Sequence, residues 1–399
     1  MSDRIFLGTS ILSLLIWIYL FGFRGQFWRA NQFLQKTSSQ LKSYPSVCAI
    51  IPARNEAELL PITLPSVINQ DYSGFFSIIL VDDSSTDETK KIALQIAKES
   101  NKDQRLEVIS SQPLPSGWTG KLWAIQQGID LALQQTPLPD YFLFTDADIE
   151  HGDRNLYELA VKAERENLDL VSLMVLLRCE SFWEKFLIPA FVFFFQKLYP
   201  FAWVNAPSNR TAAAAGGCIL IKRNSLERIG GIQTICQASI DDCALAQAVK
   251  SSTLFNHSSS IWLGLTTSTR SWRAYSNLSS IWDMVARTAF TQLNYSPLLL
   301  LGTLLGMAIA YLASPVGLAI GILTRDWIVG ITSLFTWSIM TAAYFPTIKL
   351  YKIASWRAFC LPAIAFLYTL MTIDSAIRHW RGQGGAWKGR VYPQPHSGQ

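Results

Sequence analysis

The sequence predicts an α/β fold, a mixed and mostly parallel sheet between helices, coupled to membrane-crossing helices. Three observations carry that expectation. From residue 46 to about 267, short apolar runs alternate with helical patterns, which is how a sheet layered by helices reads in one dimension. Long uncharged stretches flank this polar middle on both sides. Half of all residues are hydrophobic and only 16% are charged, too apolar a balance for an ordinary soluble domain.

In chain order, residues 5–23 (IFLGTSILSLLIWIYLFGF) carry no charge and match the roughly 20 residues a helix needs to cross a bilayer core. FGFRGQFWR, which ends the run, has no small-x-small cleavage signal, so the segment reads as an anchor (residues 1–24) and not a leader. Arg24, Arg29, Lys36 and Lys42 follow it, placing the amino terminus outside and the next domain in the cytoplasm by the positive-inside tendency. Residues 37–45 read as a linker.

The catalytic-type domain is expected over 46–280. SVCAIIP (46–52), FSIILVDD (76–83), LEVIS (106–110), YFLFT (141–145), LDLVSLMVLL (168–177) and CILIKR (218–223) read as strands, several of them apolar throughout, as strands buried on both faces are. Residues 56–70, 86–100, 120–134 and 153–167 have helical spacing with polar faces. Thr86 and Asp87 suit a helix start. Residues 182–204 (FWEKFLIPAFVFFFQKLYPFAWV), aromatic but broken by two lysines and two prolines, fit amphipathic helices lying in the headgroup layer better than a span, which stays open.

Beyond this, residues 297–324 and 327–348 form an apolar hairpin turning at Arg325 and Asp326. A third run, 358–373, is shorter, contains Pro362 and leads into Asp374, which suggests a re-entrant or interfacial segment. The carboxyl-terminal block 296–377 is therefore expected to mix transmembrane and re-entrant helices. A basic tail (378–399, with Arg378, Arg381, Lys388 and Arg390) stays on the cytoplasmic side in this reading.

The net charge of +5 is gathered at these membrane flanks and not along a stripe of the polar middle, so nucleic acid is not an expected partner. The six cysteines show no metal-ligand spacing and read as thiols of a reducing compartment. No GxxxxGK[ST] or post-strand GxGxxG is present, which counts against P-loop and dinucleotide enzymes.

Chemistry collects where strands end. Arg54, Asn55 and Glu56 follow the first strand, Asp82 and Asp83 the second, and Asp146 and Asp148 the fourth. In open α/β sheets ligands bind outside the carboxyl ends of strands. Paired carboxylates there suit a hard divalent cation such as Mg²⁺ or Mn²⁺, which takes one or two carboxylates plus phosphate oxygens. Lys121 in WTGKLWA is a candidate phosphate contact, and His151 reads as a solvated loop histidine.

IIPARNEA (50–57), LVDDSSTDET (80–89), GKLWAIQQG (120–128), FTDAD (144–148), AAGGCILIKR (214–223) and SIDDCALA (239–246), taken in this order, resemble the family 2 glycosyltransferases of the GT-A fold. WTGKLWA, IDDCALA and AWKGRVY resemble the bacterial hopene-associated glycosyltransferases most, and ceramide glucosyltransferases more distantly. The resemblance implies an NDP-sugar donor, a UDP-sugar by preference, and a membrane lipid acceptor, in an integral protein of the bacterial inner membrane. It also implies site residues. Pro52, Ala53, Arg54, Glu56, Asp82 and Asp83 would hold base and ribose, Asp146 the ribose or metal-bound water, and Asp148 the metal. Gly216 and Gly217 would admit donor sugar and acceptor, Asp241 would orient the loop or contact sugar hydroxyls, and Asp242 would be the base. The family's (Q/R)xxRW motif, carried on an interfacial helix, appears here as TRSWRAY, with Arg270 and Arg273 in register but alanine in place of tryptophan. Those arginines read either as holders of the diphosphate or as surface charges at a bilayer. A polyprenyl-phosphate sugar transferase, a processive polysaccharide synthase and a catalytically silent lipid- or nucleotide-binding scaffold remain open beside the leading reading.

Overall fold

A computed structural model of the chain describes residues 2–100, 103–252, 259–382, 386–387 and 390–391. They fall into two compact units, the described residues of 31–178 with 203–274, and those of 2–30 with 179–202 and 275–391.

The first of these is the α/β unit. Its strands are β1 (Val47–Ala53), β2 (Phe76–Asp82), β3 (Leu106–Ser110), β4 (Tyr141–Thr145), β5 (Ile149–Glu150), β6 (Leu170–Leu176), β7 (Cys218–Lys222) and β8 (Ile261–Ser271). They form one sheet in the order β3-β2-β1-β4-β7-β6-β8-β5. The β1–β2, β2–β3, β1–β4 and β6–β8 pairs are parallel, whereas β7 runs antiparallel to both β4 and β6. Every residue of β1, β2 and β4 is buried, so the unbroken apolar runs are strands covered on both faces. One face is covered by a cluster joining Val47, Ile51, Leu64, Leu80, Leu143, Leu159 and Leu220.

Besides the two-residue β5, the strand missing from the sequence reading is β8. It begins as the apolar run IWLGL, each residue buried, and ends in the polar TTSTRS. Its register with β6 breaks between Met174 and Leu176, where Leu176 comes opposite Arg270. Arg270 therefore sits at a strand end, and Trp272 and Arg273 follow in an irregular segment, not on an interfacial helix. The expected linker, 37–45, and the residues just before it do more than link. Phe33 bridges Leu265, with Leu34 N–H donating to its carbonyl at 3.0 Å and its N–H donating to Gln32. Tyr44 meets Tyr72 edge-on, and the Tyr72 hydroxyl donates to the Pro45 carbonyl.

The helical unit begins with α1 (Ser2–Gly22) and continues, in the element count of the whole chain, with α6 (Phe182–Leu198), α10 (Leu278–Ala286), α11 (Pro297–Met307), α12 (Ala313–Thr324), α13 (Trp327–Leu350) and α14 (Leu361–Trp380). The intervening numbers belong to α2 (Leu60–Ile68), α3 (Thr89–Glu99), α4 (Gly120–Ala132), α5 (Asn155–Arg165), α8 (Arg223–Arg228) and α9 (Asp241–Ser251) of the α/β unit, and to the short α7 (Phe201–Val204). Four helical stretches, Arg4–Gly22, Pro297–Thr324, Trp327–Leu350 and Ser355–Trp380, are long and apolar enough to cross a membrane.

Two sequence expectations change here. The last stretch is longer than the re-entrant segment read from residues 358–373. Pro362 lies in the first turn of α14, where a missing N–H costs nothing, and Asp374 inside it pairs with Arg378 at 2.7 Å. Residues 182–198 form one helix that runs on through Lys185, Pro189 and Lys197, and the short helix Phe201–Val204 follows Pro200. A Ser181–Glu184 capping box starts the longer helix, and Leu187, Ile188, Ala190, Val192 and Phe193 are buried around Pro189. Of the expected basic tail, Arg378 lies in α14 and Arg381 caps it, Arg390 pairs in a short antiparallel bridge, and Lys388 lies outside the described residues.

The fit of α4 against the sheet supplies a test. A β-carbon on Gly128 would come within 2.5 Å of Ile50 Cγ2, in a strand with no room to retreat. Gly128→Ala is expected to destabilise by about 1–3 kcal/mol through overpacking, against a helix-propensity gain of about 1 kcal/mol. A thermal melt of the purified protein should therefore show a lowered midpoint, and an unchanged or raised one would contradict this packing.

Candidate active site

The carboxyl ends of β1 and β4 and the amino ends of α4 and α9 converge on a cleft lined by Pro52, Thr145, Asp146, Gly216, Asp241 and Asp242. Its floor is apolar, from Ile125, Ile219, Ile232, Ile235 and Leu245. At the centre stands Lys121, in the first turn of α4. That helix is started by Thr119, whose hydroxyl accepts from Leu122 N–H. The Lys121 ammonium lies 3.0 Å from Asp146 Oδ1 and 3.2 Å from Asp241 Oδ2. Burial alone would discharge it, but Asp146, Asp241 and Asp242 outweigh burial and raise its pKa.

Asp242 opens α9, and its two oxygens have different partners. Oδ2 accepts from Gly216 N–H at 2.8 Å, and Oδ1 from Cys243 N–H at 2.7 Å. Burial first, then repulsion from Asp241, lift its pKa to about 6, while Lys121 and the two backbone donors pull the other way. Asp146 is also raised, by burial before Asp148 and Asp241, with Lys121 opposing. The adjacent glycines are there for space. A β-carbon on Gly216 would stand 3.3 Å from the Lys121 ammonium and 3.4 Å from Asp242, and one on Gly217 would press on Val175 at 3.1 Å.

Asp148 lies one residue beyond Ala147 and is nearly buried. The Ser271 hydroxyl donates to its Oδ2 at 2.5 Å, and Trp272 N–H donates to its carbonyl. Arg273 approaches its Oδ1 at 3.8 Å and bonds Glu56 at 2.5 Å. Arg270 instead pairs with Glu150, which also accepts from the Trp272 indole at 2.9 Å, and stacks on that indole. At the end of β1, Arg54 donates to the Asp83 carbonyl at 2.6 Å, and Asn55 adopts a left-handed conformation in which its side chain accepts from Thr86 N–H. Asp87 accepts from Thr89 and from Ala57 N–H, so it braces this loop as well as the start of α3. Asp82 and Asp83 are buried at the end of β2, and Asp82 Oδ1 has no partner among the described residues. Hydrogen bonds and short peptide steps thus link Asp242 through Lys121, Asp146, Asp148 and Arg273 to Glu56.

Among the described residues no group of three or more His, Cys, Asp or Glu could by itself hold a metal. Asp146 and Asp148 make a two-carboxylate set, which suits Mg²⁺ or Mn²⁺ completed by phosphate oxygens and water and does not suit a closed protein cage. Sequence reasoning missed Ser271 and Glu150 as partners, because both depend on β8, whose apolar start was the available signal.

His151 is a correction. It is 3% exposed, not solvated. Its Nδ1 accepts from the Asn155 amide at 2.9 Å and its Nε2 meets the Thr145 hydroxyl at 2.8 Å, which in turn donates to the Gly217 carbonyl. The ring is a neutral strut between α5, β4 and the glycine pair.

Architecture and site together define a GT-A-type domain. The fold is shared with the mannosyltransferase PcManGT from Pyrobaculum calidifontis, a structure in complex with GDP-Man and Mn²⁺, at a TM-score of 0.51 and 18% identity over 94% of this chain and 99% of that one. Residues 48–230 match the family model described as Glycosyl transferase family 2. Relatives include a PGL/p-HBAD biosynthesis glycosyltransferase of Mycobacterium bovis, 34% identical over 35% of this chain and 50% of its own length. Another is the 4,4'-diaponeurosporenoate glycosyltransferase of Staphylococcus haemolyticus, 31% identical over 30% of this chain and 28% of its own. The matches span half or less of these relatives.

Burial pushes the His151 pKa down from 6.5 to about 4. An unfolded chain therefore takes up a proton that the folded one refuses, and stability should fall as pH drops through that window. His151→Gln, which keeps a polar partner for Thr145, should flatten this part of the stability profile measured by denaturant unfolding. An unchanged slope would remove His151 as its source.

Proposed function

We propose that this protein moves a single sugar from a nucleoside diphosphate sugar, a UDP-sugar by preference, to the hydroxyl of a membrane lipid, inverting the anomeric carbon, with Asp242 as general base. The observation that carries the reading is the setting of Asp242, a carboxylate fixed by Gly216 N–H at 2.8 Å and raised to about 6. A lipid hydroxyl is a poor nucleophile. As its oxygen bonds to the anomeric carbon, its proton passes to Asp242 and the diphosphate departs with the electron pair. A base tuned near 6 is ionised at neutral pH yet basic enough to share that proton.

The remaining assignments follow the site outward. Pro52, Ala53, Arg54, Glu56, Asp82 and Asp83 hold base and ribose, where the orphaned Asp82 oxygen is a ready acceptor. Gly216 and Gly217 let the sugar approach the backbone, and Asp241 steadies Lys121. Asp146 and Asp148 would hold Mg²⁺ or Mn²⁺, which when bound neutralises charge on the diphosphate. Lys121 and Arg273, already beside those carboxylates, are the cations available to the same leaving group, and Arg270 stands further out on Glu150. The GDP-Man and Mn²⁺ in the Pyrobaculum structure support this donor and metal class.

We place the protein in the inner membrane of a bacterium with the catalytic domain on the cytoplasmic face. The four apolar helices and the cations that follow α1 support that placement. The likeness of WTGKLWA, IDDCALA and AWKGRVY to hopene-associated enzymes points the search for the acceptor toward hopanoid-related lipid alcohols.

Asp242→Asn should lower the transfer rate by roughly 10²–10⁴ while the affinity for UDP-sugar, read by calorimetry with Mn²⁺, is retained. Full activity would remove Asp242 as base and favour an acceptor that is already ionised, such as a polyprenyl phosphate. In the unaltered protein the rate should climb with pH through about 6, as Asp242 loses its proton. A flat profile from pH 5 to 8 would contradict the assignment.

A further inference from the structure

The helical unit holds a cation that the chemistry at Asp242 does not use. Lys197 lies in the last turn of α6, and its ammonium reaches the hydroxyl of Tyr311, a fully buried residue, at 2.9 Å. Two aromatic rings flank it, that of Tyr311 at 4.9 Å and that of Phe194 at 5.1 Å. An ammonium has three donors. Among the described residues Lys197 finds one hydrogen-bond acceptor and no carboxylate. Gln196, beside it in the chain, is 2% exposed, and its amide nitrogen likewise has no acceptor among the described residues.

A second positive charge stands close by. Arg24 follows α1 and donates to the carbonyls of Lys197 and Leu198, both at 3.2 Å. In the membrane placement proposed above, Arg24 marks the depth of the lipid headgroups, and it bonds the Lys197 backbone there. The helix that receives it is irregular at the point of contact. Tyr311 belongs to a π-turn, Ala308–Leu312, between α11 and α12, and the Trp17 indole donates to the Ala310 carbonyl within that turn. Such π-turns collect at functional sites because they aim side chains a regular helix cannot.

A charge in a membrane bundle is costly unless something pairs with it. Lys197, with no carboxylate on its ammonium among the described residues and a second cation beside it, calls for an anion with several acceptor oxygens, supplied from the headgroup layer. We propose that Lys197, Tyr311 and Arg24 form a binding site for the phosphate of an anionic membrane lipid. The phosphate would take the free ammonium donors of Lys197, and the Tyr311 hydroxyl, oriented by the same ammonium, would donate to it. The acyl chains would lie along the apolar helices. The inference rests on the proposed membrane placement and is independent of the role given to Asp242.

The test uses the full-length protein in a neutral detergent, with its melting temperature followed as dioleoyl phosphatidate, dioleoylglycerol or inorganic phosphate is added. Phosphatidate is expected to raise the midpoint by a few degrees, because a ligand that binds only the folded state stabilises it. Dioleoylglycerol, with the same chains and no phosphate, should leave it unmoved. Lys197→Met should lose the phosphatidate response and Lys197→Arg should keep it. An equal response to dioleoylglycerol, or a response that survives Lys197→Met, overturns the proposal. Inorganic phosphate reproducing the whole shift would assign the site to a free anion and overturn the lipid. If Lys197→Met does not fold, the ligand series on the unaltered protein and on Lys197→Arg still decides. Resistance of the protein to alkaline carbonate extraction from membranes tests the placement separately.

Discussion

The α/β unit is organised around one ammonium among carboxylates. Lys121 joins the start of α4 to the tip of β4 through Asp146 and to the start of α9 through Asp241. Without it, Asp146, Asp241 and Asp242 would gather like charge in a cleft with an apolar floor, and burial would drive protons onto Asp146 and Asp242. With it, the cluster stays compact while the pKa of Asp242 rises only to about 6. The glycine at 216 belongs to the same arrangement, since a side chain there would touch both the lysine and Asp242.

Around that centre, the mixed sheet explains how distant residues meet. The parallel strands β1, β2 and β4 leave their polar ends on one side. Antiparallel β7 enters from the opposite direction, so its beginning, where Gly216 and Gly217 precede Cys218, arrives at the end of β4, with Cys218 opposite Thr145. Then β8, parallel to β6 on its other flank, brings Ser271 and Arg273 to Asp148. His151 fixes the height of the glycine pair through Thr145.

Much of this was legible in the residues. Fully apolar runs ending in Arg54, Asp83 and Asp146 marked strands and the edge that binds, because burial on both faces leaves a one-dimensional trace. The partners were less legible. Whether Lys121 meets phosphate or carboxylate depends on a contact between α4 and α9, which lie far apart in sequence. His151 follows an acidic turn and reads as wet, yet Asn155, one helical turn later, draws it inside. The first strand residues of IWLGL were visible, but their polar continuation, TTSTRS, masked an eleven-residue strand that bends at a bulge. In the helical unit, Pro362 and Asp374 read as interruptions. A proline in a first turn and an aspartate with an arginine one turn away do not interrupt a helix.

The pairing of Gln32, Phe33 and Leu34 with Leu265 has a practical consequence for handling the domain apart from its hydrophobic helices. Those three residues lie just past the first apolar helix, yet they complete the backbone bonding of the strand that presents Ser271. A truncation made at residue 46, where the sequence first looks like a folded domain, would strip the stretch of that strand around Leu265 of its outer neighbour and leave a bare edge open to self-association. Cutting between Ala30 and Gln32 would shed the greasy segment and keep the edge sealed.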